Sequence, residues 1–213
     1  MGPIRIVLAD DHSLVLEAFR TMLATDQDVD VVATATNGRE LIQAVKQHKP
    51  DIVVTDISMP TLNGIDACIR LRQVMPDIKV IFLTVKDDPD LIASLLRSGA
   101  KGYLLKSSAA SELLQSIRAV AGGSTYVTPL VTAKMIGSLS SGEHARPLDR
   151  LTVRQREVLQ LLAEGKTMKH VASILSLTPR TVAFHKYRIM DTLGIESSAE
   201  LVRFALESGL LDT

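Results

Sequence analysis

One cysteine in 213 residues excludes an internal disulfide framework and any zinc site built on cysteine ligands. No stretch approaches eighteen uninterrupted apolar residues, so no segment reads as a membrane span. The opening residues, Met1 to Leu8, are a short apolar stretch without the basic head and long apolar core of a secretory signal. With the lone Cys68, this gives the expectation of a cytoplasmic protein that does not engage a membrane. There is no excess of turn-forming residues either: 12 glycines and 8 prolines are close to ordinary usage, which excludes collagen-like and low-complexity classes. No internal repeat is visible. What remains is 46% apolar and 23% charged, enough for a real core in one or two compact units.

Net charge is also missing. The 24 basic and 24 acidic residues cancel, which on average argues against a nucleic-acid partner. The distribution argues otherwise. Residues 150–190 hold eight Lys or Arg against two acids, a local +6, while residues 191–213 sum to −4 and residues 1–149 to −2. Neutrality is a total over segments with different jobs.

The first 121 residues alternate two periods. Short β-branched apolar runs at Ile4 to Ala9, Val31 to Ala35, Ile52 to Thr55, Val80 to Thr84 and Gly102 to Leu105 predict buried strands. Between them, amphipathic stretches at about 12–24, 38–48, 64–74, 89–98 and 109–121 predict helices. Five such units with short connections require a doubly wound α/β domain: a five-stranded parallel sheet with right-handed crossovers and helices on both faces. Ligands of such sheets bind beyond the carboxyl ends of the strands, at the switch in strand order. There the first run ends in Asp10-Asp11, the third in Asp56, the fourth in Thr84 and the fifth in Lys106. Three carboxylates at one sheet edge repel one another unless a cation sits among them, and an all-oxygen set suits Mg²⁺. A carboxylate is also a nucleophile toward phosphorus, with Lys106 and Thr84 placed to neutralise and hydrogen-bond the transferring group. Taken singly, Asp10 or Asp11 reads equally well as a helix cap. His12 reads as a helix-start residue and Cys68 as packing.

These residues carry a resemblance. Ile4 to about Tyr126 resembles the receiver domain of bacterial two-component response regulators, through the acidic pair in LADDH, VVTDISMPTLNG, the Thr of FLT and the Lys of KGYLLK. The resemblance implies a flavodoxin-like sheet of order 2-1-3-4-5. Asp56 is then the phosphoacceptor; Asp10, Asp11, Asp56 and the backbone carbonyl of Ser58 hold Mg²⁺; and Lys106 contacts the phosphoryl group. Thr84 swings toward the phosphate, and Tyr103 rotates inward into the space it leaves. Asn63-Gly64 fits the family loop, with Gly64 permitting a tight turn before a helix. Val85 departs from the smaller residue often found after the switch Thr; the β-branched side chain is expected to narrow access to the phosphate and crowd the path of Tyr103.

After Gly122-Gly123 the pattern breaks. Residues 129–137 can form one more helix, and Gly137 to Pro147 reads as a flexible linker. The expected division is 1–126, a connecting stretch 127–147, and a second domain 148–213 with four helices. Thr152 caps a helix ending at Gly165, Thr167 a short one to about Leu175, and Thr178-Pro179 opens one to Gly194. Ser197 and Glu200 suggest a capping box for the last helix, which stops at Gly209.

On a helical wheel of the third of these helices, Ile189 and Leu193 fall within about 20° of Val182 and the three define the core stripe. The opposite side carries Arg180, Phe184, Tyr187 and Asp191, with Arg188 at its edge. Arginine mixed with two aromatics suits a DNA groove, and the short Ser176-Leu177-Thr178 connection is helix-turn-helix spacing. The stretch from LTVRQREVL to MDTLGI resembles the LuxR-type helix-turn-helix of NarL/FixJ response regulators. That implies base-facing positions at Ala183, Phe184 and Tyr187. Backbone contacts then come from Thr178, Arg180, Thr181, Lys186 and Arg188, with Lys169 and His170 reaching phosphates from the preceding helix. His185 anchors the helix rather than reading DNA. The acidic last helix, with Leu201, Val202, Ala205 and Leu206, looks suited to pairing two copies.

The expectation is a transcriptional regulator and not an enzyme, phosphorylated at Asp56 by a sensor histidine kinase or a small phosphodonor. It binds double-stranded promoter DNA as a homodimer, with RNA polymerase a further candidate partner. Three alternatives stay open: an aspartyl-phosphate phosphotransfer enzyme, a regulator that keeps the receiver fold without the switch, and a helical protein-interaction domain in the second half.

Overall fold

The structure, a computed structural model, describes residues 2–132 and 146–211, in two compact units. The first is a single sheet: β1 (Ile4–Ala9), β2 (Val29–Ala35), β3 (Ile52–Asp56), β4 (Lys79–Thr84), β5 (Gly102–Leu105) and β6 (Tyr126–Val127). The order is β2-β1-β3-β4-β5-β6 and every pair is parallel. Between the strands run α1 (Ser13–Leu23), α2 (Gly38–His48), α3 (Gly64–Val74), α4 (Pro89–Arg97) and α5 (Ala109–Ala121).

The expected sheet of five strands gains a sixth. Two residues are too short for any periodicity to show, but the Gly123 turn (φ +93°) brings the chain back so that Tyr126 and Val127 pair with Gly102 and Tyr103. The helix expected at 129–137 is helical over 129–132; its remainder and most of the expected linker lie outside the described residues.

Strands made of aliphatic residues bury both faces. Ile6, Leu8, Ile52, Val54, Ile81 and Leu83 pack with Leu16, Phe19 and Leu23 of α1 and Leu113, Ile117 and Val120 of α5. The alternating Val7, Val53 and Val80 are as completely buried on the other face. Each such aliphatic side chain contributes about 1.5–3 kcal/mol. Strand order then positions the chemistry. The strand order switches between β1 and β3, and Ala9 pairs with Thr55, so the next residues, Asp10 and Asp56, emerge side by side. Asp56 is level with Leu83, one before Thr84, and Thr84 is level with Leu105, one before Lys106.

The second unit opens with a 3₁₀ turn, Pro147–Arg150, and continues with α6 (Val153–Ala163), α7 (Met168–Leu175), α8 (Pro179–Leu193) and α9 (Ser198–Glu207). Thr152, Thr167, Thr178 and Ser197 each accept a hydrogen bond from the amide three residues on, as their sequence positions predict. The reciprocal half of the expected capping box at Ser197 is displaced by one residue: the Glu200 carboxylate accepts from the Glu196 amide, 3.0 Å away. A complete box forms at Thr152 and Gln155 instead. Gly194 ends α8 at φ +66°, a conformation that favours glycine.

Val182 and Ile189 are buried and Leu193 packs against the same core, as the wheel requires. The apolar side of α9 is a correction. Leu201 and Ala205 were expected to pair two copies, but they are 2% and 0% exposed, packed in the core of their own unit with Val158, Leu161 and Val171. Four short helices have little interior, so the last one must lend its apolar stripe to the core. Only Val202 and Leu206 of that set reach the surface. Among the described residues, no helix is long and apolar enough to cross a membrane.

Candidate functional site

Asp10, Asp56 and Thr84 are almost completely buried at the carboxyl edge of the sheet, and Asp11 is exposed beside them. One ligand atom each from Asp10, Asp11, His12 and Asp56 lies within 4.8 Å of the others. The Lys106 ammonium enters this cluster from the end of β5, with Nζ 2.7 Å from Asp10 Oδ2 and 2.8 Å from Asp56 Oδ2. With all three carboxylates ionised, one ammonium leaves two negative charges in excess. Burial pushes the Asp56 carboxyl up from an ordinary 3.8 to about 6; Lys106 pulls against that shift, and the neighbouring Asp10 adds to it. Burial disfavours the charged form of Lys106, but its hydrogen bonds and charge pairing with Asp10 and Asp56 outweigh it and hold the ammonium above its usual range.

His12 does more than start a helix. It is the N-cap of α1 without a side-chain cap bond, and its Nδ1 lies 2.9 Å from Asp11 Oδ1 and 3.2 Å from Asp10 Oδ1. Asp10 Oδ1 also accepts from the His12 amide. The donor set is dominated by hard carboxylate oxygens with unbalanced negative charge, which fits a small divalent cation such as Mg²⁺. Ser58, half-buried, follows Asp56 by two residues.

Thr84 and Tyr103 are joined through a residue that carries no sequence signal. The Thr84 hydroxyl accepts from the Lys86 amide at 3.0 Å, and the Tyr103 hydroxyl donates to the Lys86 carbonyl at 2.7 Å. The Tyr103 ring is already fully buried, whereas Val85 is 69% exposed, so the expected crowding of Tyr103 by Val85 does not arise. Gly64 is a second correction. A Cβ there would stand 1.9 Å from the carbonyl oxygen of Asp56 and 2.9 Å from Thr55 Oγ1. Glycine is needed for the close approach of α3 to the end of β3, not for turn conformation. Thr55 donates to that same Asp56 carbonyl, and the Gly64 amide donates to the Ile57 carbonyl. Cys68 is buried and its thiol is pushed up to about 12, which removes it as a nucleophile.

On the second unit, Lys169, His170, Thr178, Arg180, Phe184, Tyr187 and Arg188 are exposed; Thr181, Ala183 and Lys186 are half-buried. Arg188 lies over the Phe184 ring, 6.0 Å from its centroid. Three expected contacts are engaged locally: Thr178 Oγ1 caps α8 and is hydrogen-bonded to Thr181 Oγ1 at 2.9 Å, and Lys186 Nζ donates to Ser198 Oγ at 2.7 Å. The half-buried His185 is held below its ordinary pKa by burial and by Arg154. Arg154 itself pairs with the buried Glu157 at 3.0 Å and donates to the Leu175 carbonyl at the end of α7.

Residues 6–118 match the family described as the response regulator receiver domain, and residues 149–205 match the luxR family of bacterial regulatory proteins. The chain belongs to the response regulators. This response regulator joins a receiver domain to a LuxR-type DNA-binding domain, the make-up of a transcription regulator and not of an enzyme. It is 38% identical to the oxygen regulatory protein NreC of Staphylococcus haemolyticus (strain JCSC1435), over 98% of this chain and 99% of that one. Among solved structures, it is similar to RcsB from Salmonella enterica serovar Typhimurium bound to promoter P1flhDC in the presence of phosphomimetic BeF₃⁻. That likeness has a TM-score of 0.65 and 26% identity, covering 97% of this chain and 100% of that one. A structure of two RcsB dimers bound to two parallel DNAs is similar at a TM-score of 0.62 and 25% identity, covering 95% and 98%.

The response regulator's site holds three features that residue types alone did not reveal: the imidazole of His12 against the acidic pair, the Lys86 backbone between Thr84 and Tyr103, and the Thr55 and Gly64 support of Asp56. His12 was adjacent in sequence and readable as a candidate. The other two act through backbone atoms, which no side-chain pattern reports.

Proposed function

We propose that Asp56 is the phosphoacceptor of this response regulator and that its phosphorylation controls DNA binding by the second domain. The observation that carries this reading is Lys106 bridging Asp10 and Asp56 inside a cluster of three carboxylates. A carboxylate oxygen of Asp56 attacks the phosphorus of a phosphohistidine or a small acyl phosphate. The new P–O bond forms as the bond to the donor's leaving group breaks, and the leaving group keeps the electron pair. Lys106 neutralises the equatorial oxygens of the transferring group. Asp10, Asp11, Asp56 and the Ser58 carbonyl are the residues to hold Mg²⁺, which supplies further charge neutralisation when bound. The Thr84 hydroxyl then leaves the Lys86 amide for the phosphoryl group. Since Tyr103 is tied to the carbonyl of Lys86, the exchange is felt at β5 and the neighbouring α4 and α5.

The proposed domains are 1–126 and 148–213 with a connecting stretch between them, and the proposed compartment is the cytoplasm. The DNA-binding surface is α8 with the start of α7: Ala183, Phe184 and Tyr187 toward the bases, and Lys169, His170, Thr178, Arg180, Thr181, Lys186 and Arg188 toward the backbone. A local charge of only +6 makes single-copy binding weak and salt-sensitive, so pairing two copies gives phosphorylation something to control. Incubation with acetyl phosphate and Mg²⁺, followed by intact mass measurement, tests the switch. The wild type should gain one phosphoryl group and Asp56→Ala none. A gain that persists in Asp56→Ala, or no gain in the wild type, overturns the reading.

A further inference from the structure

Among the described Phe and Tyr side chains only two are exposed, Phe184 at 60% and Tyr187 at 66%, and both stand on α8, one turn apart. Neither is needed by the core, which α8 supplies through Val182 and Ile189 on the opposite side. The Phe184 ring is also held in place: His185 meets it edge-on at 5.9 Å, and the Arg188 guanidinium lies 6.0 Å above its centroid. A fixed, water-exposed ring beside a half-buried alanine is an apolar contact surface awaiting a partner.

Resting on the DNA reading above, we infer that α8 recognises thymine through its C5-methyl group, with Phe184 and Ala183 as the methyl contacts. The argument is one of matching chemistry. Each base pair shows the major groove hydrogen-bonding groups, and only thymine shows an apolar one. Ala183 and Phe184 carry no side-chain donor or acceptor, so they cannot read guanine or cytosine by paired hydrogen bonds. Lys186, the cation between them and Tyr187 in sequence, is turned to Ser198 Oγ. Asp191, one turn beyond Tyr187 on the same side, is exposed and repels phosphate, which confines close approach to the first half of the helix. The preferred sites therefore carry thymine where α8 enters, and the preference is set by shape and desolvation.

The test uses the full-length, acetyl phosphate-treated protein and duplexes selected by it from a random pool, then resynthesised with deoxyuridine for individual thymidines. Uracil keeps every hydrogen-bonding group and removes only the methyl. Loss of a contacted methyl should weaken binding about fourfold. In Phe184→Ala the same replacement should cost nothing at the thymine that Phe184 contacts, while a thymine under Ala183 keeps its penalty, and the Phe184 side chain is too exposed for its removal to unfold the domain. Equal affinity for the thymine and uracil forms at every position, or penalties in Phe184→Ala that are undiminished at every position, overturns the methyl readout while leaving DNA binding intact. A pool that yields no enriched sequence overturns both this inference and the DNA reading beneath it.

Discussion

Asp56 is nearly buried as a carboxylate, and that has a cost measurable without any phosphoryl chemistry. Its carboxyl sits at about 6 in the folded chain against an ordinary 3.8, chiefly because burial removes water that Lys106 only partly replaces. The folded state therefore holds the proton more tightly than the unfolded state. Well below 3.8 both states are protonated and nothing is lost; as pH rises through 3.8 to 6, the folded state is progressively penalised. At about 1.4 kcal/mol per pH unit, a separation of roughly two units makes the metal-free protein about 3 kcal/mol less stable above pH 7 than Asp56 would allow if neutral. Asp56→Asn, nearly isosteric with the protonated acid, should remove that penalty. In buffer with a chelator, the opening free energy of β3 and β4 amides, followed by hydrogen exchange, should exceed that of the wild type by about 3 kcal/mol at pH 8. The difference should shrink to about 0.6 kcal/mol near pH 4 and vanish about a unit lower, with the amides of α6 unchanged as an internal reference. Added Mg²⁺ should stabilise the wild type and narrow the gap from the other side. A variant difference that does not change with pH, or a destabilised Asp56→Asn at pH 8, would refute the account of burial as the dominant influence on this carboxyl.

Gly64→Ala should destabilise the receiver by about 3 kcal/mol and slow phosphoryl uptake, since the added Cβ meets the Asp56 carbonyl at 1.9 Å and that backbone must move; intact mass against time reads the uptake. Leu201→Ala should cost about 2–5 kcal/mol in thermal unfolding of the second domain, whereas Leu206→Ala should stay under about 1 kcal/mol. Sedimentation of Leu206→Ala then checks whether the exposed part of α9 contributes to pairing. Arg154→Ala should cost about 3 kcal/mol and weaken DNA binding, because it removes the 3.0 Å partner of buried Glu157 and frees the end of α7 from α6; Arg154→Met, which keeps the apolar stem, should recover only part of the stability.

Much of the fold was legible because its signals are local. Thr152, Thr167 and Thr178 each cap the helix that follows, and the aliphatic runs from Ile4, Ile52 and Val80 are strands. A cap needs only a hydroxyl and an amide three residues away, and a buried strand needs only a short apolar run. Errors fell where a residue's partner lies far along the chain. Tyr126–Val127 is a strand only because Gly102–Tyr103 is there to pair with it. Leu201 and Ala205 looked like a free apolar stripe until Val158, Leu161 and Val171 were found to cover the same core. Val85 looked obstructive, yet its side chain points to water while Tyr103 lies inside.

By itself the amino-acid sequence determined the list of reactive groups and their order along the chain: Asp10, Asp11, Asp56, Thr84 and Lys106 at strand ends, and the basic helix with its aromatic face. Those follow from residue type and period, which are properties of short segments. The tertiary structure decided what the groups do to one another. The β1–β3 register placed Asp10 beside Asp56, and Lys106 bridged them from the end of β5. Burial then lifted one carboxyl to about 6, and a glycine's missing Cβ let α3 reach the Asp56 backbone. Desolvation, charge pairing and close approach all depend on distances through space, which sequence spacing does not measure.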